Sequence, residues 1–350
     1  MSYKSINING RQIGVDYPPF IIAEMSANHN GNIENAINLI MMAKKCGADA
    51  VKLQTYTPDT ITLNLDSEEF RIQGGLWDGR TLYDLYKEAH MPWDWHKSLF
   101  EYAHKLDITI FSSPFDNTAV DLLEDLNAPA YKIASFEVID LPLVKYAAST
   151  GKPLIISTGM ASESEIHEAI DAAQSSGCSD LAVLHCVSGY PAPAADYNLR
   201  TIPDMMNRFK LVTGLSDHTL SNATAITSIA LGAAIVEKHF TLDRSAGGPD
   251  DSFSLEPREL QALCTDARTA WDALGTIDYS RKSSEVNNLK FRRSLYFVKD
   301  MKEGEIITEH CIRSVRPGFG LPPKAIDEVL GSVMIKDAPY GTAVKKDYYT

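Results

Sequence analysis

The chain reads as an α/β protein, a closed (β/α)8 TIM barrel followed by a small, mostly-β domain. Three observations predict this. Apolar runs of strand length alternate with helix-length amphipathic stretches through eight units in roughly 250 residues, the size of an eightfold barrel. Strict strand–helix alternation demands right-handed crossovers and hence a parallel sheet. The pattern then stops near Gly275, and short segments separated by Pro/Gly turns take over. A doubly wound open sheet is the structural alternative. It usually carries a glycine-rich fingerprint after its first strand, and AEMSANHNG (Ala23–Gly31) is not one.

Each element follows from local pattern. Asn9-Gly10 predicts the turn of a short polar hairpin. The strands are expected at Phe20–Ser26, Ala50–Tyr56, Ile108–Pro114, Ala130–Ser135, Pro153–Gly159, Leu181–Val187, Leu211–His218 and Ala234–Phe240. Helices are expected at Glu34–Cys46, Thr81–Lys105, Thr118–Leu126, Leu141–Ser149, Glu163–Ser175, Leu199–Arg208, Ser221–Leu231 and Pro257–Leu274, with Ser221 as an N-cap. Residues Thr57–Pro92 form a long insertion. Its glycine pair Gly74-Gly75 and its aromatics Trp77, Tyr83 and Tyr86 suit either an ordered flap at the rim or a segment packed outside. The barrel domain is placed at 1–275. Polar, aperiodic residues 276–290 read as a linker, and 291–350 as the second domain, with short segments such as Ser294–Val298 and Val333–Ile335.

Composition narrows the function. The charge balance, 33 basic against 46 acidic residues for a net −13, disfavours nucleic acid and anionic membranes as partners. No apolar run is long enough to span a bilayer, and MSYKSINING has no signal-peptide pattern. The five cysteines are odd in number, and none are spaced as a zinc ribbon. They predict reduced thiols and a cytoplasmic location.

Barrel chemistry gathers where strands end. Those ends supply Glu24, Lys52, Gln54, Ser113, Lys132, Ser135, Glu137, Ser157, Ser188, Tyr190, Ser216, His218, Glu237 and His239, with Asp250 in the glycine-rich loop beyond. Period-two alternation puts Ser216 with His218 on one strand face and Glu237 with His239 on another. Two imidazoles at equivalent strand ends suit a divalent cation that also holds water or substrate. Two lysines and several hydroxyls suit a phosphate and a carboxylate together. Glu24, Glu137 and Asp250 suit acid, base or metal-partner roles. Bland readings stand beside these. The lysines can pair with carboxylates inside the rim, Glu237 can be a buried structural carboxylate, and Ser113 and Ser157 can be helix caps.

The stretches AEMSANHNG, GADAVKLQTY, FSSPF, YKIAS, STGM, LHCVSGYP, GLSDHT, VEKHFTLDR and GGPD occur in order. They resemble the phosphoenolpyruvate-dependent nonulosonic acid synthases, which make sialic, legionaminic and pseudaminic acids. The tail pieces RRSLYFVKDMKEGEIIT and RPGFGLPP look like that family's antifreeze-like (SAF) domain. Met25-Ser26-Ala27, Val51–Thr62 and Leu82–Trp95 are most like the pseudaminic branch, and Ser188 stands where sialic acid synthases usually carry asparagine. Legionaminic and N-acetylneuraminic acid remain the alternative products.

The resemblance implies that Lys52, Ser113, Lys132, Ser135, Ser157 and Ser216 bind phosphoenolpyruvate, and that Gln54, Ser188 and Tyr190 lie near the substrates. It implies His218 and His239 as metal ligands, normally for manganese, with magnesium or cobalt as alternatives. Glu24, Glu137 and Asp250 would lie near sugar, water or metal. Arg316 would reach the partner subunit's site in a domain-swapped homodimer. The implied reaction condenses phosphoenolpyruvate with an open-chain diacetamido trideoxy hexose. A metal-dependent barrel hydrolase or aldolase, and a non-enzymatic antifreeze-like binding protein, are the rivals from other classes.

Overall fold

The computed structural model describes residues 4–350. The chain divides into two compact units, one ending at Gly275 and the other spanning Thr276–Thr350.

The first unit opens with a hairpin of β1 (Ile6–Ile8) and β2 (Arg11–Ile13), whose turn residues Asn9 and Gly10 both have positive φ. The barrel follows: β3 (Phe20–Glu24), β4 (Ala50–Thr55), β5 (Thr109–Pro114), β6 (Tyr131–Ile133), β7 (Leu154–Ser157), β8 (Leu181–Cys186), β9 (Val212–Asp217) and β10 (Ile235–His239). These eight strands are parallel, pair in sequence order and close through β10 against β3. The expected fold class and strand order therefore hold.

The strand period of two sorts the residues. Outward positions such as Ile21, Val51, Ile110, Ile133, Ile156, Val183 and Val236 join the helix layer in one large core. Inward positions at the strand starts, among them Phe20, Ile22, Ala50, Phe111, Ile155, Ala182, Leu184, Val212 and Ile235, form a second core that includes Ile6, Ile8 and Ile13. The hairpin thus plugs the N-terminal end of the barrel with apolar side chains. Gly214 has no room for more. A Cβ there would lie 2.5 Å from the Ile235 carbonyl oxygen and 2.6 Å from Leu184.

The helices are α1 (Ile33–Cys46), α2 (Pro58–Ile61), α3 (Leu82–Ala89), α4 (His96–Lys105), α5 (Asn117–Asp125), α6 (Leu141–Ser149), α7 (Glu163–Ser175), α8 (Thr201–Phe209), α9 (Ala223–Ala230) and α10 (Pro257–Leu274). Local chemistry sets their ends. Asn32, Asp116, Asp140 and Ser162 each accept from a first-turn N–H, and Gly47 takes the left-handed conformation that stops α1.

Two helix expectations are corrected. The single helix expected over Thr81–Lys105 is broken into α3, a 3-10 turn at Trp93–Trp95 and α4, because Pro92 cannot continue a helix and constrains the residue before it. The cap of α9 is Asn222, one residue later than expected. Ser221 still contributes, accepting from the Ala223 N–H at 3.1 Å.

The second unit has its own core of Leu295, Phe297, Met301, Ile307, Ile312, Val329, Met334 and Val344. An antiparallel pair, β11 (Ser294–Phe297) with β12 (Ile312–Val315), is joined by isolated bridges and the short helix α11 (Ile326–Val329). Val333–Ile335 supplies bridges rather than a strand, and β12 was not anticipated because its Arg313 and Ser314 interrupt the apolar run. The residues expected as linker include the start of a 3-10 helix, Ser283–Phe291, with no buried side chain.

Candidate active site

Barrel closure carries the inward chemical residues to one end. Register places Glu24 beside Lys52, His239 beside Glu24, Ser216 beside Glu237 and Gln54 beside Ser113. Parallel partners share a face, so one ring of inward side chains collects charges contributed by different strands.

Lys52 and Lys132 are almost fully buried. The Lys52 Nζ lies 2.8 Å from Glu24 Oε2, 3.2 Å from Ser113 Oγ and 3.5 Å from Glu237 Oε1. The Lys132 Nζ lies 3.5 Å from the same Glu237 oxygen, which also accepts from Ser216 Oγ at 3.3 Å. Gln54 donates to Glu24 Oε1 at 3.0 Å. The lysines therefore do pair with carboxylates inside the rim, as the bland reading holds. Buried charges of this kind persist only when paired.

Each pKa shift reports this balance. Burial pushes Glu24 up to about 7, against the opposing pull of Lys52. Burial also raises Glu137 to about 7. At Glu237 burial works upward but is outweighed by Lys132 and Lys52, so this carboxyl sits below its ordinary value. Burial pulls Lys52 down, yet Glu237 and Glu24 raise it overall. Lys132, between Glu237 and the repelling Lys52, is lowered by its burial.

The two histidines face each other with ring centroids 5.4 Å apart. His218 Nδ1 lies 2.8 Å from the Val187 carbonyl oxygen, which leaves Nε2 for the site. His239 Nδ1 is buried with no protein partner, and Asp250 Oδ2 is 3.9 Å away. Burial, followed by the nearby His218 and lysines, keeps His239 well below the usual imidazole value and so neutral, as a metal ligand must be. Among the described residues no three His, Cys, Asp or Glu side chains are arranged to hold a cation. The two ring nitrogens that face this end, with His239 Nδ1 buried and unpartnered, are the donors that would hold an ion here.

Residues pointing away from the site hold its walls. Lys238 is buried on the outer strand face, with Nζ 2.9 Å from Asp217 and bonds to the carbonyls of Thr219 and Ser221. This ties down the loop after His218. The buried Tyr197 hydroxyl accepts from the His218 N–H at 2.6 Å and donates to the Ser216 carbonyl at 3.4 Å.

Above the ring lies a cavity of about 440 Å³. Gln54, Ser135, Glu137, Tyr190, His239 and Asp250 line it, together with Ser26, whose hydroxyl donates to Asp250. Tyr190 packs against Trp77, His218 and Phe253, with ring centroids 5.9, 4.4 and 5.2 Å away. The insertion is a flap at the rim: Ile61, Ile72, Trp77, Leu85 and Tyr86 line the same cavity.

Ser157 Oγ is buried inside the barrel without a partner, and Ser188 Oγ crowds Gly159, where a Cβ would approach it to 2.2 Å. Neither Ser113 nor Ser157 caps a helix; Asp116 and Ser162 cap the helices that follow. Arg316 is an exposed residue of the second unit with no hydrogen bond or ion pair to the described residues. Every other expected site residue gathers at the C-terminal end of the barrel.

Two residues gain weight from the structure. Alternation puts Glu237 on one face with His239 and leaves a buried structural carboxylate as its bland reading; the structure makes it the counter-ion to both lysines. Cys186 follows Ala182 and Leu184 on the inward face of β8 and is buried there, with Sγ 4.0 Å from Ser188 Oγ. The period of two was the signal for both.

Fold and site together define a TIM-barrel enzyme scaffold whose rim combines a ring of buried lysines, carboxylates and hydroxyls with a pair of facing imidazoles. The chain belongs to the NeuB family, which it matches over residues 39–279, and a SAF domain matches over 292–347. It is 45% identical to a pseudaminic acid synthase of Campylobacter jejuni over 96% of this chain and 98% of that protein. It is 42% identical to a pseudaminic acid synthase of Helicobacter pylori over 94% and 97%. Among solved structures it resembles an N-acetylneuraminic acid synthetase from Leptospira borgpetersenii in complex with citrate. That match has a TM-score of 0.73 and 30% identity, and covers 82% of this chain and 95% of that one.

Glu137 gives a pH-dependent prediction. Its Oε2 is buried without a partner, and its folded pKa is raised from 4.5 to about 7. The stability it contributes is complete below the unfolded value and is lost as pH rises through the folded one. Glu137→Gln should therefore raise Tm relative to the parent at pH 8 and much less at pH 5. Calorimetry at the two pH values checks this, and equal shifts would refute it.

Proposed function

We propose that this protein is a pseudaminic acid synthase. It would condense phosphoenolpyruvate with 2,4-diacetamido-2,4,6-trideoxy-L-altrose to give pseudaminic acid and phosphate. The observation that carries the reading is the ring of Lys52, Lys132, Ser113 and Ser216 directly beneath a cavity large enough for a sugar. The near full-length similarity to the Campylobacter and Helicobacter synthases supports the choice of sugar.

Lys52 and Lys132, with the hydroxyls of Ser113, Ser135, Ser157 and Ser216, hold the carboxylate and phosphate of phosphoenolpyruvate. In exchange the lysines loosen their hold on Glu237. Gln54, Ser188 and Tyr190 orient the acceptor. C3 of phosphoenolpyruvate attacks the aldehyde carbon, water adds at C2, and phosphate leaves with C–O cleavage. Glu24 and Glu137, both with pKa values near 7, can give or take a proton at working pH. Asp250, held by Ser26, flanks His239. A divalent cation on His218 and His239, manganese by preference, supplies Lewis-acid polarisation of the aldehyde oxygen when bound. The enzyme works in the cytoplasm as a domain-swapped homodimer, with Arg316 on a turn presented to the partner's site.

Three measurements test this. Phosphate release from phosphoenolpyruvate should require the diacetamido trideoxy sugar and be poorer with the legionaminic and sialic precursors. In that assay Lys52→Met deletes a charge-assisted contact worth about 1.5–3 kcal/mol, raising the phosphoenolpyruvate KM roughly tenfold or more. An unchanged KM would remove Lys52 from the anion pocket.

Replacing His218 or His239 by alanine should abolish most manganese binding, read by calorimetry, while the circular dichroism spectrum is retained. Parent-like affinity in both variants would defeat the metal assignment.

For the swapped dimer, inactive His239→Ala and Arg316→Ala chains are mixed under conditions that exchange subunits. Activity should return, because one barrel of each heterodimer receives both an intact rim and an intact arginine. No recovery in verified heterodimers would mean that each tail serves its own barrel, or that Arg316 is a turn residue only.

A further inference from the structure

The cavity above the ring has two chemically different sides. Its floor is polar, built from Ser26, Gln54, Ser135, Glu137, His239 and Asp250. Its roof is apolar, and one continuous piece of chain supplies most of it, beside Phe115, Ala134, Phe136 and Pro249. Between β4 and β5 the insertion contributes Ile61, Ile72, Trp77, Leu82, Leu85 and Tyr86.

That roof is an ordered structure. The Ile72 N–H donates to the Arg80 carbonyl and the Gly79 N–H to the Ile72 carbonyl, each at 2.9 Å, which closes the turn that carries Trp77. The Trp77 indole N–H donates to the Pro249 carbonyl at 3.0 Å, clasping the insertion to the loop that bears Asp250. Tyr56, at the end of β4, packs edge-on against Tyr86 with ring centroids 5.7 Å apart. Of the polar side-chain atoms in the roof, the Trp77 nitrogen is thus already occupied, and the Tyr86 hydroxyl remains.

A sugar held over the polar floor turns its far side to this roof. A hydroxyl there would lose water and find little to bond, whereas a methyl group gains by burial. We propose that the insertion selects the acceptor. Ile61, Ile72, Trp77 and Leu85 receive the methyl groups of a 6-deoxy, N-acylated sugar, and so disfavour the 6-hydroxylated counterpart. The proposal rests on the synthase reading above and names the residues that choose its sugar. One methyl group in an apolar pocket is worth roughly 10–200-fold in kcat/KM, and such a pocket rejects an added hydroxyl by about 100-fold. Selection on that scale needs no group that reads the missing hydroxyl directly.

The test is the double variant Ile61→Thr/Ile72→Thr, with each single variant read in the same way. Both positions are half-buried, and threonine keeps the β-branch while replacing an ethyl arm with a hydroxyl. Phosphate release from phosphoenolpyruvate is measured with the 2,4-diacetamido-2,4,6-trideoxy hexose and with its 6-hydroxy counterpart. The parent should prefer the 6-deoxy sugar about tenfold or more. In the double variant that preference should shrink about tenfold, while the phosphoenolpyruvate KM and the Tm stay close to the parent's. A preference that is unchanged, or a loss that falls equally on both sugars, would overturn the proposal. A parent that turns over neither sugar would overturn the synthase reading instead.

Discussion

The structure depends on one carboxylate. Glu237 lies on the inner face of β10 within 3.5 Å of both Lys52 and Lys132, above the apolar core that the strand starts pack inside the barrel. Two ammonium groups so near each other and so deeply buried would repel, and each would shed its proton to escape the desolvation cost. Glu237, with Glu24 on the other side of Lys52, opposes that loss: together they hold Lys52 above its ordinary value, while burial still lowers Lys132. Each of these buried ammonium groups thus has a carboxylate within 3.5 Å.

Those charges reach one another through closure of the barrel. Parallel strands paired in order bring every strand's C-terminal end to one rim, and the period of two then decides which residue of each pair faces in. Glu237, Lys238 and His239 show the consequence. The outer residues of this triplet serve the site. The middle one is turned to the helix side, where it binds Asp217 and two loop carbonyls and fixes the turn after His218. Three adjacent polar residues thus divide the tasks of holding charge, holding the loop and facing the cavity.

This explains what was legible in the sequence and what was not. The eight strands, and the gathering of Lys52, Lys132, Ser216, His218 and His239 at one end, follow from periodicity alone, because alternation survives averaging over a strand. Glu237 was undervalued for a different reason. A carboxylate's worth depends on which cations the closed barrel brings within reach, and those come from strands more than 100 residues away in sequence. The break at Pro92 was readable from proline chemistry, but an uninterrupted amphipathic pattern on both sides masked it. The position of the insertion was undecidable in sequence, since Trp77 and Tyr86 are equally at home in a flap or on an outer surface. The roof is fixed by the bond from Trp77 to Pro249, a contact across 172 positions.

The division between floor and roof has a consequence for how such an enzyme can change. Floor residues are inward strand positions, or loops bonded directly to them, so a substitution there disturbs the charge balance around Glu237 and the reaction with it. Roof residues belong to a surface insertion with its own turn hydrogen bonds and its own clasp, and such segments tolerate change better than a barrel interior does. On the proposed reading Gln54, Ser188 and Tyr190 orient the acceptor from strand ends and the loops after them. The insertion adds apolar contacts apart from the lysine–carboxylate ring, which separates that part of the choice of sugar from the chemistry performed on it. A new acceptor can then be accommodated by repacking Ile61, Ile72 and Trp77, while the lysine–carboxylate ring and the histidine pair remain as they are.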